Sequence, residues 1–310
     1  MAPGSPHRSD GPVPATLRAR DALLLGLVQG PTELLPVSSS AHLTIVPDLL
    51  GLPYRDLDPD LRKSVEVALH AGTAAALLVA LRRELRSELA GLDRRRAGVL
   101  FWATLPPAVI GFACERPIER RLGGRRSMAA GLAAGSALLI VADRGPRDRG
   151  RSEASAADGL LLGFAQAAAL VPGISRSGST LAAARIRGFR RREAHRLSRR
   201  IALPIIAVAA TVKSVRLARR GLREGEPQAL GAGIAASAAS TWACARLISV
   251  LDREVPLWPF ALYRLALAAL VLAGVERDGD PAGPAPARSP SGAVRLNGPM
   301  GTQTEPTATR

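Results

Sequence analysis

The sequence predicts an all-α, polytopic integral membrane protein, and three observations support this. Apolar residues, 47% of the 310-residue chain, are gathered into segments of the length that spans a bilayer. Arginines lie in short runs between those segments, and two of the segments are interrupted by proline, glycine and clustered serines. The expected architecture is about six transmembrane helices plus two re-entrant helix hairpins, arranged as an inverted repeat.

Six apolar segments are long enough, and poor enough in charge, to be the spanning helices. They are predicted at residues 64–81, 98–114, 127–142, 201–217, 229–251 and 258–275. The segment 127–142 carries no charged residue, and 258–275 carries only Arg264. Buried helices of a large soluble protein can have these lengths, but so many in one short chain favour a membrane domain.

The membrane domain is expected at residues 21–276, with repeat halves of about 21–143 and 157–276. The flanking segments 1–20 and 277–310 are rich in proline, glycine and polar residues, so we predict that both are disordered. The first of them has no apolar core, so it does not resemble a secretory signal peptide.

The formal net charge of +16 comes almost entirely from arginine. In a soluble protein this charge would suggest nucleic-acid binding. Here the runs lie between apolar segments and aromatic residues make up only 3% of the chain, which favours contact with anionic lipid head groups. The predicted partners are therefore membrane lipids and not nucleic acid. Because basic loops lie on both sides of the predicted helices, charge alone orients the protein weakly.

The first interrupted segment is residues 26–42, which read Gly-Leu-Val-Gln-Gly-Pro-Thr-Glu-Leu-Leu-Pro-Val-Ser-Ser-Ser-Ala-His. Pro36 cannot continue a helix, and broken backbone at membrane depth survives only where it is buried in protein or lines a wet cavity. We therefore predict a helix, a break at 36–40 and a second helix from Ala41, with a polar site at the break. An ordinary turn with a serine N-cap is the alternative.

Glu66 and His70 lie four residues apart within the predicted span 64–81. Residues at this spacing share a helix face. They are either the solvated end of a helix near the interface or part of the cavity that holds Glu33 and His42. The sequence leaves both interpretations open.

The second interrupted segment, residues 159–188, resembles the first. Both contain Gly-x-x-Gln, then an apolar run, then Pro-x-x-Ser, so that Pro36 and Ser39 correspond to Pro172 and Ser175. Two broken apolar hairpins in matching positions are typical of inverted-repeat membrane proteins, whose site lies between the repeats.

If the two breaks face each other, their polar side chains are expected to form a phosphate-binding site. The candidate residues are Glu33, Ser38, Ser39, Ser40 and His42 from the first break, and Ser175, Arg176, Ser177, Ser179 and Thr180 from the second. Arginine and helix N-termini bind phosphate. A serine or a water can act as nucleophile, and Glu33 or His42 as general base or acid. Arg176 would neutralise charge in the transition state.

Residues 29–42 and 172–180 resemble the two signature motifs of the bacterial undecaprenyl-diphosphatase family, also known for bacitracin resistance. Val-Glu-Val-Ala-Leu-His-Ala-Gly-Thr (65–73) and Pro-Phe-Ala-Leu-Tyr-Arg (259–264) are similar to further parts of that family. The resemblance covers about residues 20–276. It implies hydrolysis of undecaprenyl diphosphate to the monophosphate and inorganic phosphate, which recycles the lipid carrier of cell-wall synthesis. It also implies a multi-pass protein of the bacterial cytoplasmic membrane whose active site faces the outer side.

The same resemblance implies roles for individual residues. The catalytic set is Glu33, Ser39, His42 and Arg176, and the diphosphate-binding set is Gln29, Ser38, Ser40, Gly173, Ser175, Ser177 and Thr180. A divalent cation, magnesium or calcium, is implied as cofactor, with Glu33 as its candidate ligand. Gln29 stands where the family motif usually has a second glutamate, and an amide is a poor ligand for a hard cation, which weakens the case for a two-carboxylate metal site. A homodimer is left open.

Two rival functions share some of these features. A transporter or flippase of a phosphorylated polyprenyl lipid would use the same repeat and midplane site without hydrolysis. Another class of membrane phosphatase shares the Ser-x-His pattern but needs a second histidine at a set spacing after its Ser-Arg. His195 lies too far from Arg176 to meet that requirement.

Overall fold

The structure is a computed structural model that describes residues 16–278 apart from 146, 223–224, 246–247, 249 and 251–252. Its described elements are α-helices and one short 3₁₀ turn at Arg151–Glu153, which confirms the predicted all-α class. The helices are α1 (Ala19–Leu34), α2 (Ser39–Leu49), α3 (Pro59–Ala80), α4 (Arg82–Ala90), α5 (Arg94–Leu122), α6 (Arg125–Ala142), α7 (Ala156–Ala168), α8 (Arg176–Ile186), α9 (Arg191–Arg220), α10 (Glu226–Cys244) and α11 (Trp258–Asp278). Most of the two segments predicted to be disordered falls outside the described residues.

Three of the described helices have the length and composition needed to cross a membrane. They are α3, α5 and residues 191–219 of α9. Residues 258–274 of α11 form a shorter apolar helix. The predicted total of six spanning helices and two re-entrant hairpins stays a prediction.

One segment that we expected to be a loop is helical, and a basic stretch before a predicted span extends the helix of that span. The basic stretch 82–96 forms α4 and the start of α5, because arginine, leucine and glutamate are good helix formers and Asp93 caps α5 by accepting a hydrogen bond from the backbone N–H of Arg96. The charged stretch 189–200 and the apolar stretch 201–217 are joined in the single helix α9. Charge alone therefore did not mark the helix ends.

Both predicted breaks are present, with slightly shifted bounds. The first lies at residues 35–38, so α2 begins at Ser39, two residues before the expected Ala41. Leu35 is extended, with φ −87° and ψ 154°, and Ser38 is left-handed, with φ 75°. In the second half, α7 ends at Ala168 and α8 begins at Arg176. The chain therefore forms two helix–break–helix pairs.

The two pairs pack against the rest of the molecule in matching ways. Helix α1 packs on α10, and α7 packs on α5. Likewise α3 packs on α10 and α9 on α5, while α2 contacts α11 and α8 contacts α6. Helices α3 and α9 contact each other, as do α6 and α11. Helices of the first half thus pack on helices of the second half, and the corresponding helices of the second half pack on the first. Two equivalent halves would give this pattern. The inverted orientation of the halves and their division at 21–143 and 157–276 stay predictions.

Glycines let the first helix of each pair approach its partner closely. A Cβ on Gly26 would lie 2.7 Å from the Cβ of Ala236 in α10. A Cβ on Gly163 would lie 2.6 Å from the carbonyl oxygen of Trp102 in α5. Small residues at such crossings are how membrane helices pack. These two glycines begin the Gly-x-x-Gln motifs, so the packing fixes the position of the residues that follow them.

An ion-pair cluster anchors α7 and α8 at their charged ends. The fully buried carboxylate of Asp158 lies 2.9 Å from Arg149 Nη2 and 2.5 Å from Arg187 Nε. It also accepts hydrogen bonds from the backbone N–H and the hydroxyl of Ser155, the N-cap of α7. The guanidinium of Arg149 lies 4.3 Å from the ring centre of Phe189. The charged segment 143–157, which lies between the two predicted repeat halves, thus supplies structural contacts for the second half.

Candidate active site

A cavity of about 800 Å³ lies between the two breaks. Its polar end is formed by Glu33 and residues 38–40 from the first break, and by residues 175–177 from the second. Its walls are largely apolar and include Pro107, Gly111 and Phe112 of α5, and Ile205, Val208 and Val212 of α9. The cavity therefore joins a hydroxyl-rich, charged end to an apolar passage.

Glu33 lies at the centre of the polar end. Its Oε1 accepts a hydrogen bond from Arg176 Nη2 at 2.8 Å. Its Oε2 accepts one from Ser39 Oγ at 2.9 Å and a longer one from Gln29 Nε2 at 3.4 Å. Glu33 and Arg176 are 143 residues apart in the chain. The two breaks thus meet at one carboxylate, as the sequence predicted.

Ser39 is the first residue of α2, and its position follows from the break. The left-handed Ser38 turns the chain so that the Ser39 hydroxyl points back to Glu33 at the end of α1. A hydroxyl that donates to a carboxylate is arranged as a nucleophile beside its base. The pair is therefore able to perform the serine chemistry expected from the motif.

Arg176 is the first residue of α8, and hydrogen bonds around it hold the second break. Ser175 caps the helix by accepting from the backbone N–H of Gly178 at 3.2 Å. Ser177 Oγ donates to the carbonyl of Leu35 at 3.2 Å, which ties the second break to the first. The first turns of α2 and α8 both line the cavity. Helix N-termini that face a common space form an anion-binding site.

His70 also reaches the cavity, although the sequence left its role open. Its Nε2 lies 3.7 Å from Glu33 Oε2, and its Nδ1 lies 2.7 Å from the carbonyl oxygen of Glu66. A carbonyl can only accept, so Nδ1 carries the hydrogen and Nε2 faces Glu33. Glu66 itself is exposed and is not among the residues that line the cavity. His70 therefore lines the cavity that contains Glu33, and Glu66 does not.

His42, expected in the same site, is buried against the backbone of the first break. Its Nδ1 lies 2.7 Å from the carbonyl oxygen of Ser38, and its Nε2 lies 2.7 Å from the hydroxyl of Tyr263. It is not among the residues that line the cavity. The structure thus joins Glu33, Ser39 and Arg176 by direct hydrogen bonds, and it places His42 against the backbone of the first break, next to Ser39.

The residues predicted to bind diphosphate fall into two groups. Ser38, Ser40, Ser175 and Ser177 line the cavity. Three others lie behind it: Gln29, Gly173 and Thr180.

Each of these three has a role in packing. Gln29 is fully buried, and within the described residues its Oε1 has no hydrogen-bond partner. The carbonyl of Gly173 accepts from Arg264. Thr180 Oγ1 shares a hydrogen bond with Ser198 Oγ at 2.5 Å. These three residues lie behind the polar end of the cavity and do not form its surface.

Tyr263 and Arg264 were not assigned a role from the sequence, although they lie in a stretch that resembles the family. One signal could have identified them. Arg264 is the only charged residue in the apolar segment 258–275, and an isolated charge in such a segment usually marks a working site.

The residues present do not form a metal site built by the protein. Within the described residues, no group of three or more histidine, cysteine, aspartate or glutamate side chains is arranged to hold an ion. Two carboxylates line the cavity within the described residues, Glu33 and Glu115, and Glu33 is already paired with Arg176. No step proposed below uses a metal, and the cation dependence implied by the resemblance stays a prediction.

Comparison with known proteins agrees with the geometry of the site. A family model described as bacitracin resistance protein BacA matches residues 22–270. The chain is 39% identical to a protein of Geobacter sulfurreducens named undecaprenyl-diphosphatase, over 81% of this chain and 96% of that protein. Proteins of the same name from Geobacter metallireducens and Chromohalobacter salexigens are 38% and 37% identical, over 81% of this chain in each case and 96% and 97% of the relatives. The predicted family and integral membrane class are thereby confirmed, and the chain belongs to the BacA family of bacitracin resistance proteins.

Proposed function

We propose that the chain hydrolyses undecaprenyl diphosphate to undecaprenyl phosphate and inorganic phosphate. The observation that carries this is the meeting of Glu33, Ser39 and Arg176 at the polar end of the cavity. The matched relatives are named undecaprenyl-diphosphatases, and the chemistry of the site agrees with that name. Serine, a carboxylate and a guanidinium are what phosphoryl transfer to a serine requires.

The shape of the cavity supports a lipid as the substrate. Hydroxyls, one arginine and two helix N-termini lie at one end, where a diphosphate would bind. The walls provided by α5 and α9 are mainly apolar. A site with both surfaces suits an amphiphile whose charged head and hydrocarbon chain are bound together.

In the first step of the proposed reaction, Arg176 exchanges Glu33 for the diphosphate as its hydrogen-bond partner, and Glu33 accepts a proton. A diphosphate that enters the site competes with Glu33 for the donors of Arg176. Ser39 Oγ attacks the terminal phosphorus while Glu33 takes its proton. The bridging P–O bond breaks and undecaprenyl phosphate leaves, with Arg176 neutralising the charge that develops on the phosphoryl oxygens.

Hydrolysis of the phosphoserine completes the cycle. A water attacks the phosphorus, the bond to Ser39 Oγ breaks, and inorganic phosphate is released with the serine hydroxyl restored. Glu33 acts as base towards this water and returns that proton to Ser39 Oγ, 2.9 Å away, as the P–O bond breaks. His70 Nε2, 3.7 Å from Glu33, receives the proton that Glu33 collected in the first step.

The proposal places the protein in the bacterial cytoplasmic membrane with its site open to the outer side. The family resemblance supports this location, which would make the reaction part of lipid-carrier recycling. The apolar helices support a membrane location in general.

Three substitutions test the proposed catalytic roles. Ser39→Ala, Glu33→Gln and Arg176→Ala are each expected to reduce phosphate release from undecaprenyl diphosphate in detergent by about a hundredfold or more, since each removes a nucleophile, base or charge stabiliser. Exposed matched controls are Ser152→Ala, Glu119→Gln and Arg20→Ala, which should retain activity.

Wild-type activity in all three site variants would contradict the proposal. Lipid movement across proteoliposomes without phosphate release would instead support the transporter alternative.

A further inference from the structure

A residue of left-handed backbone lies in each break: Ser38 immediately before α2, which begins with Ser39, and Gly173 three residues before Arg176, the start of α8. Ser38 has φ 75° and Gly173 has φ 90°. Glycine adopts this conformation easily, whereas serine is strained there and must be held by its surroundings. The position of Ser39 therefore depends on whatever holds Ser38.

The carbonyl of Ser38 is held by a chain of two hydrogen bonds that ends on α11. His42 Nδ1 lies 2.7 Å from that carbonyl oxygen, and His42 Nε2 lies 2.7 Å from the hydroxyl of Tyr263. A carbonyl only accepts, so Nδ1 donates to Ser38 and Nε2 accepts from the tyrosine. The two rings are stacked, with centroids 5.7 Å apart and an angle of 12°. Tyr263 thus fixes the tautomer and the orientation of His42.

The carbonyl of Gly173 is held by the next residue of the same helix. Arg264 Nη2 donates to it at 3.3 Å. Arg264 is fully buried, and within the described residues its Nε and Nη1 have no hydrogen-bond partner. A Cβ on Gly178, in the first turn of α8, would lie 2.8 Å from Arg264 Nη1. The guanidinium therefore sits behind the N-terminus of the helix that begins with Arg176.

We propose that the adjacent residues Tyr263 and Arg264 are positioning residues that fix both breaks through the carbonyls of their left-handed residues. Tyr263 acts through His42 on Ser38, and Arg264 acts directly on Gly173. In this way α11 sets the distance between Ser39 and Arg176. The inference rests on the proposed function, because its effect is on phosphoryl transfer.

The arrangement assigns His42 a positioning role. Both of its ring nitrogens are engaged, one with Ser38 and one with Tyr263, and the cavity is lined by His70 instead. A misplacement of about 1 Å in a catalytic group can lower the rate a hundredfold. Loss of the His42 contacts would therefore reduce turnover without removing any group that touches the substrate.

Tyr263→Phe is the first test, because it keeps the stacked ring and removes only the hydroxyl. We expect kcat for undecaprenyl diphosphate to fall at least about tenfold, with little change in KM or in the thermal unfolding midpoint in detergent. The matched control is Tyr54→Phe, which removes a buried hydroxyl that has no hydrogen-bond partner within the described residues. The control should keep wild-type kcat. An unchanged kcat in Tyr263→Phe would overturn the inference.

Repeating the test with glycine at position 38 separates positioning from a general structural role. Glycine adopts φ 75° without support, so Ser38→Gly should remove most of the need for the tyrosine. Whatever the activity of Ser38→Gly alone, adding Tyr263→Phe to it should then lower kcat much less than the same change does in the wild type. An equal fold loss in both backgrounds would show that Tyr263 does not act through Ser38, and would overturn the proposal.

Arg264 is tested by comparing Arg264→Lys with Arg264→Met. Lysine can still donate to the Gly173 carbonyl and keeps the charge, so it should retain several times more kcat/KM than methionine, which does neither. Equal activity of the two folded variants would contradict the role of Arg264.

If Tyr263→Phe does not fold, the comparison of Arg264→Lys with Arg264→Met decides the inference. Inactive wild-type protein would count against the proposed function, whereas an active wild type with unaffected variants would count against this inference alone.

Discussion

Glu33 and Arg176 neutralise each other in the structure, with 2.8 Å between the carboxylate and the guanidinium. Charged side chains at membrane depth persist when they are paired and enclosed by protein. The pairing also prepares the reaction, because a diphosphate that takes over the donors of Arg176 leaves Glu33 a stronger base. One ion pair thus stabilises the empty site and is exchanged for substrate contacts on binding.

Gln29 offers a prediction about the cation. Its amide lies 3.4 Å from Glu33 Oε2, so Gln29→Glu would place a second carboxylate beside the first. Two adjacent carboxylates repel unless a proton or a cation lies between them. We expect the ratio of phosphate release with magnesium to release with a chelator to be at least about tenfold larger in Gln29→Glu than in the wild type.

The control for this change is Gln228→Glu, which adds the same charge at an exposed position. Its ratio should equal that of the wild type. If the ratio for Gln29→Glu also equals the wild-type value, Gln29 has no part in the cation dependence of the site.

The sequence identified the residues whose chemistry is local and missed those whose role depends on packing. Glu33, Ser39 and Arg176 could be predicted because a carboxylate, a serine and an arginine at two breaks have few other uses in an apolar segment. The resemblance placed His42 in the catalytic set, whereas the role of His70 was left open. In the structure His70 lines the cavity, and His42 contacts Tyr263, 221 residues along the chain. No local pattern on either helix predicts these contacts.

At the scale of the helices, the breaks were easier to predict than the helix ends. Pro36 and Pro172 interrupt apolar runs, and the backbone rules for proline place a break there regardless of the fold. Helix α4 and the first turn of α5 were predicted as a loop because residues 82–96 are rich in arginine. Arginine is a good helix former, so its charge indicates solvent or head-group contact and not loop structure.

Asp158 connects the start of α7 to two arginines, and its removal should destabilise the second half. Asp158→Asn leaves Arg149 and Arg187 without the buried carboxylate that they share. The side chains of Arg149 and Arg187 are 26% and 42% exposed and can be solvated, so loss of these hydrogen bonds between charged groups costs about 1.5–3 kcal/mol. We expect a clear fall in the thermal unfolding midpoint in detergent, with the kinetic constants of the folded fraction unchanged.

The matched control is Asp93→Asn, which alters the exposed N-cap of α5 and should cost much less.

The ion-pair cluster around Asp158 also predicts that stability depends on pH. Burial alone would raise the pKa of Asp158, but hydrogen bonds from Arg149, Arg187 and Ser155 hold that pKa well below its usual range. Because the folded-state pKa is the lower one, the stabilisation is present above about pH 4 and is lost as the pH falls further. A wild type and an Asp158→Asn variant with equal slopes of stability against pH would contradict this.

At the scale of the whole molecule, the cavity predicts selectivity for long lipid chains. Gly111 of α5 lines its apolar wall, and a Cβ there would meet only a Leu170 methyl carbon at 3.9 Å, so a larger side chain would extend into the cavity. Gly111→Phe should raise KM for undecaprenyl diphosphate about tenfold or more, and it should raise KM for the shorter farnesyl diphosphate much less. The reason is that about 25 cal/mol of hydrophobic free energy is lost for each Å² of lipid chain displaced from the wall.

Gly98→Phe is the control on the same helix, because a Cβ at Gly98 has no neighbour within 4 Å and Gly98 is not among the residues that line the cavity. It should change KM for neither substrate. Equal effects of Gly111→Phe on both substrates would show that the lipid chain does not follow this wall.

The overall class could be predicted from sequence because hydrophobic segment length and proline position are properties of the chain itself. The matching Gly-x-x-Gln motifs indicated a repeat, and the exchanged packing of α1 on α10 and α7 on α5 agrees with it. The sequence could not predict that α11 reaches both breaks. The isolated charge of Arg264 indicates a working segment, but which breaks it reaches depends on how the two halves pack against each other.

The long sequence separation of the contacts at the site has a consequence for how the protein becomes active during its synthesis. Glu33 enters the membrane early, but its partner follows 143 residues later and the tyrosine that orients His42 comes 221 residues after that histidine. Nearly all of the described helices must therefore be synthesised before Glu33 can contact Arg176 and His42 can contact Tyr263. Nascent chains still in the translocon would lack phosphatase activity, so activity itself would report that insertion is complete.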